Sequence, residues 1–284
     1  MTLASGPLRC VIDPALGGSL VSLRHGALPV LREAPAGQPP DVRAGAGYPL
    51  LPYSNRIGHA RLPWQGHVHR LQPNFAPEPH AIHGIGWRRP WRVLQADTRS
   101  ARLALSHRAD ADWPFDFEAE QHLTLEPQAF GLELRLTHAG QDGLMPAGLG
   151  WHPYFCKRPG ARLQFAARGR WAMGPDQLPT GHCDGGGIDG MLDVQDVDHC
   201  FEGWDGEVRW QDDQLRLMLR SDLDRLVVFT SPQRPFVAIE PVSHVNNALQ
   251  LAQSLGRTPA DLGMRSLAPG ASCAAWMRLE IRPA

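Results

Sequence analysis

The 284-residue sequence predicts an all-β protein, built as one large antiparallel β-sandwich. Three observations lead there. Apolar and polar residues alternate with period two in block after block, which is the mark of half-buried strands. The blocks follow one another across short turns, whereas a parallel arrangement would need crossovers of a dozen or more residues. Finally, 29 glycines and 26 prolines make up roughly a fifth of the chain, against a usual combined share of about 12%. So much turn chemistry suits many short elements better than a few long helices. With 43% hydrophobic residues there is ample core material, and the length fits a single domain over residues 1–284.

In chain order, the first alternating blocks are Trp-Arg-Val-Leu from Trp91, Arg-Leu-Ala-Leu from Arg102 and an eleven-residue run from Phe115 to Leu125. Further blocks start at Gly131, Arg162, Gln214, Leu226, Phe236 and Trp276. One helix is expected, Asn247–Leu255, with Asn246 or Asn247 capping its start and Gly256 stopping it. Two stretches read as irregular loops: Ala34–Gly47, rich in Pro and Gly, and Gly174–Gly190, which contains Gly185-Gly186-Gly187.

Composition excludes several functions. There are 28 Lys and Arg against 29 Asp and Glu, a net charge of −1, which argues against a nucleic-acid partner. The only lysine is Lys157, which disfavours Schiff-base chemistry. The five cysteines, Cys10, Cys156, Cys183, Cys200 and Cys273, form no C-x-x-C pair and read as reduced structural thiols. No apolar run approaches the roughly 18 residues of a membrane span, and the start MTLASGPLRC lacks the pattern of a leader. A cytoplasmic protein with no membrane partner is expected. His67 and His69 share a strand face, but no third ligand is spaced to complete a metal site.

Five segments break the alternation with polar and aromatic residues, and they are expected on loops around the sandwich: Tyr48–Ile57, His80–Trp87, Gly150–Phe155, Asp196–Phe201 and Ala238–Asn247. His152 precedes Pro153, which biases it towards an extended backbone and a ring projecting from a strand end. An imidazole among Trp151, Tyr154 and Phe155 suits proton transfer beside a ring-shaped substrate, or it is a core histidine bonded to a carbonyl. Glu240 ends the apolar run from Phe236 and is followed by Pro241, so it is either a desolvated base or a strand-end acid in water. Arg56 offers a fork of donors suited to vicinal hydroxyls or a carboxylate. Asp198 could accept from two sugar hydroxyls or cap a turn, and His83 before Gly84 could be a polar contact or a turn residue.

Taken together and in this order, the segments resemble the aldose 1-epimerase family, also called galactose mutarotases, from about Tyr48 to the end of the chain. Pro52-Tyr-Ser-Asn-Arg-Ile57, His83-Gly84, Gly150-Trp-His-Pro-Tyr-Phe155, Val197-Asp-His-Cys-Phe201 and Glu240-Pro241 are similar to five separate family motifs. The resemblance implies a galactose mutarotase-like supersandwich, Glu240 as general base, His152 as general acid, and Arg56, His83 and Asp198 as residues that bind the sugar. Ile85, where a second glycine is usual, and Trp151, where other residues are often found, depart from the pattern and bear on the choice of sugar.

The implied reaction interconverts the α and β anomers of an aldohexose through the open-chain aldehyde, with two proton carriers and neither cofactor nor metal. A small-molecule sugar is then the partner, for a monomer or homodimer. The alternatives are an epimerase for a phosphorylated or sulfonated hexose, whose anion Arg43, Arg61, Arg88 or Arg89 could hold, and a non-catalytic sugar-binding module of the same fold. A polysaccharide-processing enzyme fits less well, since no second domain is evident to form a long cleft.

Overall fold

The structure, a computed structural model, describes residues 1–34, 37 and 41–284. Among these residues the alternating blocks pair into two large antiparallel sheets of eleven and nine strands, the expected sandwich architecture. The second sheet runs Arg92–Ala96, Ser100–His107, Phe117–Glu126, Ala129–His138, Ser272–Pro283, Leu215–Ser221, Glu207–Gln211, Arg162–Phe165 and Ile188–Met191. The first sheet starts with three N-terminal strands, Thr2–Ser5, Leu8–Asp13 and Ser19–His25. It continues through Gly47–Leu50, Gly150–Cys156, Phe236–Val242, Arg225–Thr230, Val197–Glu202, Gly169–Met173 and Pro179–Asp184.

The period of two assigns the faces. Odd-numbered residues of the Gly150–Cys156 strand point at the second sheet: Trp151 meets Phe130 at a ring separation of 5.5 Å and Phe155 meets Trp210 at 6.0 Å. Phe201 packs edge-on against Phe165 at 4.9 Å in the same layer. These aromatic pairs are part of one contiguous core that runs from Leu3 to Ile281. Even-numbered residues of the same strand, His152 and Tyr154, therefore face the other side of the sheet.

Several expectations are corrected. Gly174–Gly190 is not simply a loop, because Pro179–Asp184 and Ile188–Met191 are strands. Each is the terminal strand of its sheet and is largely exposed, so its sequence carries no inward-facing apolar set to read. Within Ala34–Gly47, positions 35, 36 and 38–40 lie outside the described residues, and Val42–Ala44 forms a 3₁₀ turn capped by Asp41. The helix is Ala248–Leu255, closed by left-handed Gly256 as expected. Its N-cap residue Asn247 is itself left-handed and makes no side-chain cap; its Oδ1 instead accepts from the Gly58 amide at 3.0 Å.

The largest correction concerns the five segments expected on loops. His152 lies inside a strand and not at its end, Asp198 sits in Val197–Glu202, and the Glu240 strand continues through Pro241 to Val242. Proline is tolerated in these central strands because the ladder is interrupted there. The His152 and Glu240 strands pair at Gly150–Val242 and again at Tyr154–Ala238, with no pairing between. Tyr154 sends its N–H the other way, to Ala46 at 2.9 Å, so position 153 would have donated towards the Glu240 strand. Ser243 donates to Leu149 at 2.8 Å, so position 241 would have donated towards the His152 strand. Both positions are proline and lack the donor. Pro153 and Pro241 thus part the two strands around the point where His152 faces Glu240.

Phe130 is fully buried where the two sheets meet. Phe130→Ala is expected to destabilise the protein by about 3–5 kcal/mol, read as a lower urea midpoint at unchanged slope.

Candidate active site

The strand register builds the site. With Gly150 opposite Val242 and Tyr154 opposite Ala238, His152 falls opposite Glu240; on its other side His152 pairs with Tyr48, and Glu240 pairs with Val227. Tyr48, His152 and Glu240 therefore form one row across three strands, on the face turned away from the second sheet. Asp198, Phe229, Ala238 and Tyr154 form the next row on the same face.

His152 Nε2 lies 3.2 Å from Glu240 Oε1, and both residues are almost wholly buried, at 6% and 2% exposure. The imidazole is packed between Tyr48, with ring centres 4.7 Å apart, and Tyr154 at 4.5 Å, while His83 meets it edge-on at 5.0 Å. The Tyr154 hydroxyl lies 3.5 Å from His152 Nε2 and 3.4 Å from the Tyr48 hydroxyl. Burial pushes the His152 pKa well below its ordinary value, reinforced by His83 and Arg32. Burial pushes Glu240 well above the carboxylate range, reinforced by the Asp198 charge and opposed by Arg56. Mutual burial thus favours a neutral imidazole beside a carboxylic acid, one proton held between them. His152 Nδ1 and Glu240 Oε2 are buried with no hydrogen-bond partner among the described residues. Two orphaned polar atoms on one facing pair are what a polar ligand would satisfy.

The other expected residues converge on this pair. His83 has left-handed backbone, φ 63°, and its Nδ1 accepts from the Asn55 amide at 3.0 Å. That bond leaves Nε2 as the protonated nitrogen and a donor. Burial, with Arg56 nearby, brings the His83 pKa down to about 3, so the ring stays neutral. The tight approach depends on Gly84, also left-handed, where a Cβ would stand 2.1 Å from the Leu51 carbonyl oxygen. Arg56 acts electrostatically on His83, Asp198 and Glu240. Its guanidinium is held by a two-point bond to Glu78, at 2.7 and 2.9 Å. Asp198 has its pKa raised by burial, with Arg56 opposing.

Sequence reasoning missed Glu78 and Arg32. Glu78 lies in a short turn with no pattern around it, and only the folded chain brings it to Arg56. The Arg32 guanidinium stacks 3.7 Å above the Tyr154 ring and 4.5 Å from Phe236, and its position after Val30-Leu31 carries no motif. Trp151, expected to influence the sugar, faces the second sheet and does not line the site. Ile85 has φ −121° and needs no glycine; its amide donates to Leu51 at 3.0 Å. Arg88 and Arg89 are paired with Asp112 and Asp110, and Arg43 with Asp41. Among the described residues no group of three or more His, Cys, Asp or Glu could hold a metal ion, and no helix is long and apolar enough to cross a membrane. The five cysteines are free. Two surface cavities of about 600 Å³ line the outer side of the second sheet, and one of about 720 Å³ lies beside Arg225; none includes the five residues.

Nitrogen-detected NMR of the His83 ring is expected to show a neutral Nε2–H imidazole that does not titrate until about pH 3. Gly84→Ala should destabilise the protein by at least about 1 kcal/mol and disturb that tautomer, because both the left-handed backbone and the Leu51 contact oppose a Cβ.

The chain is similar to known proteins over its whole length. The uncharacterized protein YphB of Escherichia coli K12 is 27% identical, over 99% of this chain and 98% of its own. The crystal structure of a candidate aldose 1-epimerase from Escherichia coli K12 superposes with a TM-score of 0.88 at 26% identity, covering 100% of this chain and 98% of that one. A galactose mutarotase-like protein from Clostridium acetobutylicum shares the fold, with a TM-score of 0.85 at 16% identity over 100% and 95% of the two chains. The aldose 1-epimerase family model matches residues 1–280, and the chain belongs to that family.

Proposed function

We propose that this protein is an aldose 1-epimerase that interconverts the α and β anomers of an aldohexose by ring opening. Glu240 is the general base, His152 the general acid, and Arg56, His83 and Asp198 hold the sugar. One observation carries the reading: a buried acid and a buried imidazole 3.2 Å apart, each with an orphaned polar atom. The two oxygens that exchange protons during ring opening, the anomeric hydroxyl and the ring oxygen, are bonded to the same carbon. Two proton carriers within one hydrogen bond of each other match that spacing.

The proton count closes. With the cyclic sugar bound, the shared proton resides on His152 and Glu240 is the carboxylate, a form that the Arg56 charge favours. Glu240 takes the proton of the anomeric hydroxyl, the bond between C1 and the ring oxygen breaks, and His152 protonates that oxygen. The products are the aldehyde, neutral Glu240 and neutral His152, the protonation state that burial favours. Rotation about C1–C2 presents the other carbonyl face, and the same transfers run backwards to close the opposite anomer. His83, a neutral donor at Nε2, suits a sugar oxygen, and Asp198 suits hydroxyl donors.

Exchange NMR on freshly dissolved α-glucose and α-galactose tests the reading. Glu240→Gln and His152→Gln are each expected to lower kcat by about 10²–10⁴-fold. Rates unchanged by Glu240→Gln would remove it from the base role. Activity requires the pair to hold one proton. The acid limb of kcat/KM should therefore fall well below the ordinary histidine value of 6.5, and the alkaline limb well above the ordinary glutamate value of 4.5. An acid limb at or above 6.5, or an alkaline limb at or below 4.5, would contradict the neutral pair.

A further inference from the structure

Two arginines stand at one end of the site face without a carboxylate between them. Beyond the row that holds Tyr154, Ala238 and Phe229, the face continues to Phe236, whose ring meets Tyr154 edge-on at 5.4 Å. Arg32 lies over Tyr154 and Phe236, at 3.7 and 4.5 Å, and Arg234 lies over Phe229 and Phe236, at 4.9 and 5.5 Å. The Phe236 ring thus has a guanidinium from each of two separate segments. Arg32 is fixed in place: its Nε and Nη2 donate to the Gly45 carbonyl at 3.3 and 3.1 Å, and Nη2 also donates to the Arg43 carbonyl.

Carbonyl groups and aromatic rings orient a cation without cancelling its charge. Among the described residues neither Arg32 nor Arg234 makes an ion pair, whereas Arg56, Arg88 and Arg89 all do. Positions 35, 36 and 38–40 are Pro, Ala, Gln, Pro and Pro, so no acid is hidden there. Asp41, whose carboxylate feels the Arg32 charge only weakly, is bound to Arg43 at 3.2 Å. The two cations lie on the far side of Ala238 from Glu240. Tyr154 and Phe229 flank Ala238 one step along the strand face from the Glu240 row, roughly 6.8 Å and about the breadth of a pyranose ring, and Phe236 lies a second step on.

We propose that Arg32 and Arg234, which both lie against the Phe236 ring, form an anion subsite, and that the preferred substrate is an aldose carrying an oxyanion at the carbon farthest from C1. Phosphate, sulfonate and carboxylate share the chemistry that a pair of guanidiniums recognises. With C1 between His152 and Glu240, the ring lies over Ala238 and its distal group reaches the arginines. This rests on the epimerase reading and assigns its substrate class.

The test compares anomer exchange of glucose and galactose with that of glucose 6-phosphate, 6-deoxy-6-sulfoglucose and glucuronate, using the full chain. At least one anionic sugar is expected to exceed glucose in kcat/KM by about 10-fold or more, an advantage that shrinks as salt is added. The best of the three identifies the anion. Arg234→Gln and Arg32→Gln should each lower the anionic-to-neutral ratio by about 10-fold. Arg234 is exposed, so its variant stays informative if Arg32→Gln fails to fold. A wild-type ratio near one, or a ratio that Arg234→Gln does not move, overturns the proposal. If no sugar of either class is exchanged, the epimerase reading fails, and calorimetric titration with glucose 6-phosphate, glucose and inorganic phosphate judges the subsite alone. Binding of glucose 6-phosphate but not glucose, lost in Arg234→Gln, sustains it; no binding of either phosphate compound overturns it.

Discussion

Two prolines facing each other across neighbouring central strands organise this site. Each removes the one backbone donor that its position would have supplied to the shared ladder, so pairing lapses between Gly150–Val242 and Tyr154–Ala238. His152 and Glu240 occupy that gap, directly opposite each other. A carboxyl group and an imidazole held on sheet strands, not on loops, are positioned by the register of the whole sheet, and the flanking aromatic rings leave the imidazole little room to turn.

Burial then sets the electrostatics. A carboxylate and an imidazolium in a nearly dry site would each lose hydration, and both groups shift towards their neutral forms. Mutual burial thus moves the proton affinities of the two groups in opposite directions, down for His152 and up for Glu240. The neighbouring charges modulate the second shift in opposite senses: Asp198 raises the affinity of Glu240 for its proton and Arg56 lowers it. Glu78 holds Arg56 by both oxygens, so a change at this remote turn residue acts on the pair through the cation.

The alternating blocks, the helix end at Gly256 and the five residues that the fold brings together were legible in the sequence, because period two, glycine caps and short motifs are local properties. Their setting was read wrongly. A proline after Glu240 suggests a strand end, and the strand runs on because the donor it lacks belongs to a ladder that is already open. The edge strands Pro179–Asp184 and Ile188–Met191 were hidden because, exposed on most of their positions, they need no apolar alternation. Trp151 looked like a site residue by adjacency to His152, yet consecutive residues of a strand point to opposite faces.

By itself the sequence determined that the chain would form antiparallel sheets and carry an acid and an imidazole suited to proton transfer, since alternation, turn residues and side-chain chemistry act over a few positions. Only the tertiary structure decided that Glu240 faces His152 across an open ladder, that Glu78 holds Arg56, and that Arg32 and Arg234 meet at Phe236 without an ion-pair partner among the described residues. Arg56 and Glu78 lie 22 positions apart, His152 and Glu240 88, and Arg32 and Arg234 202. These relations follow from strand register and from Coulombic and hydrogen-bond contacts that exist only once the sheets are paired.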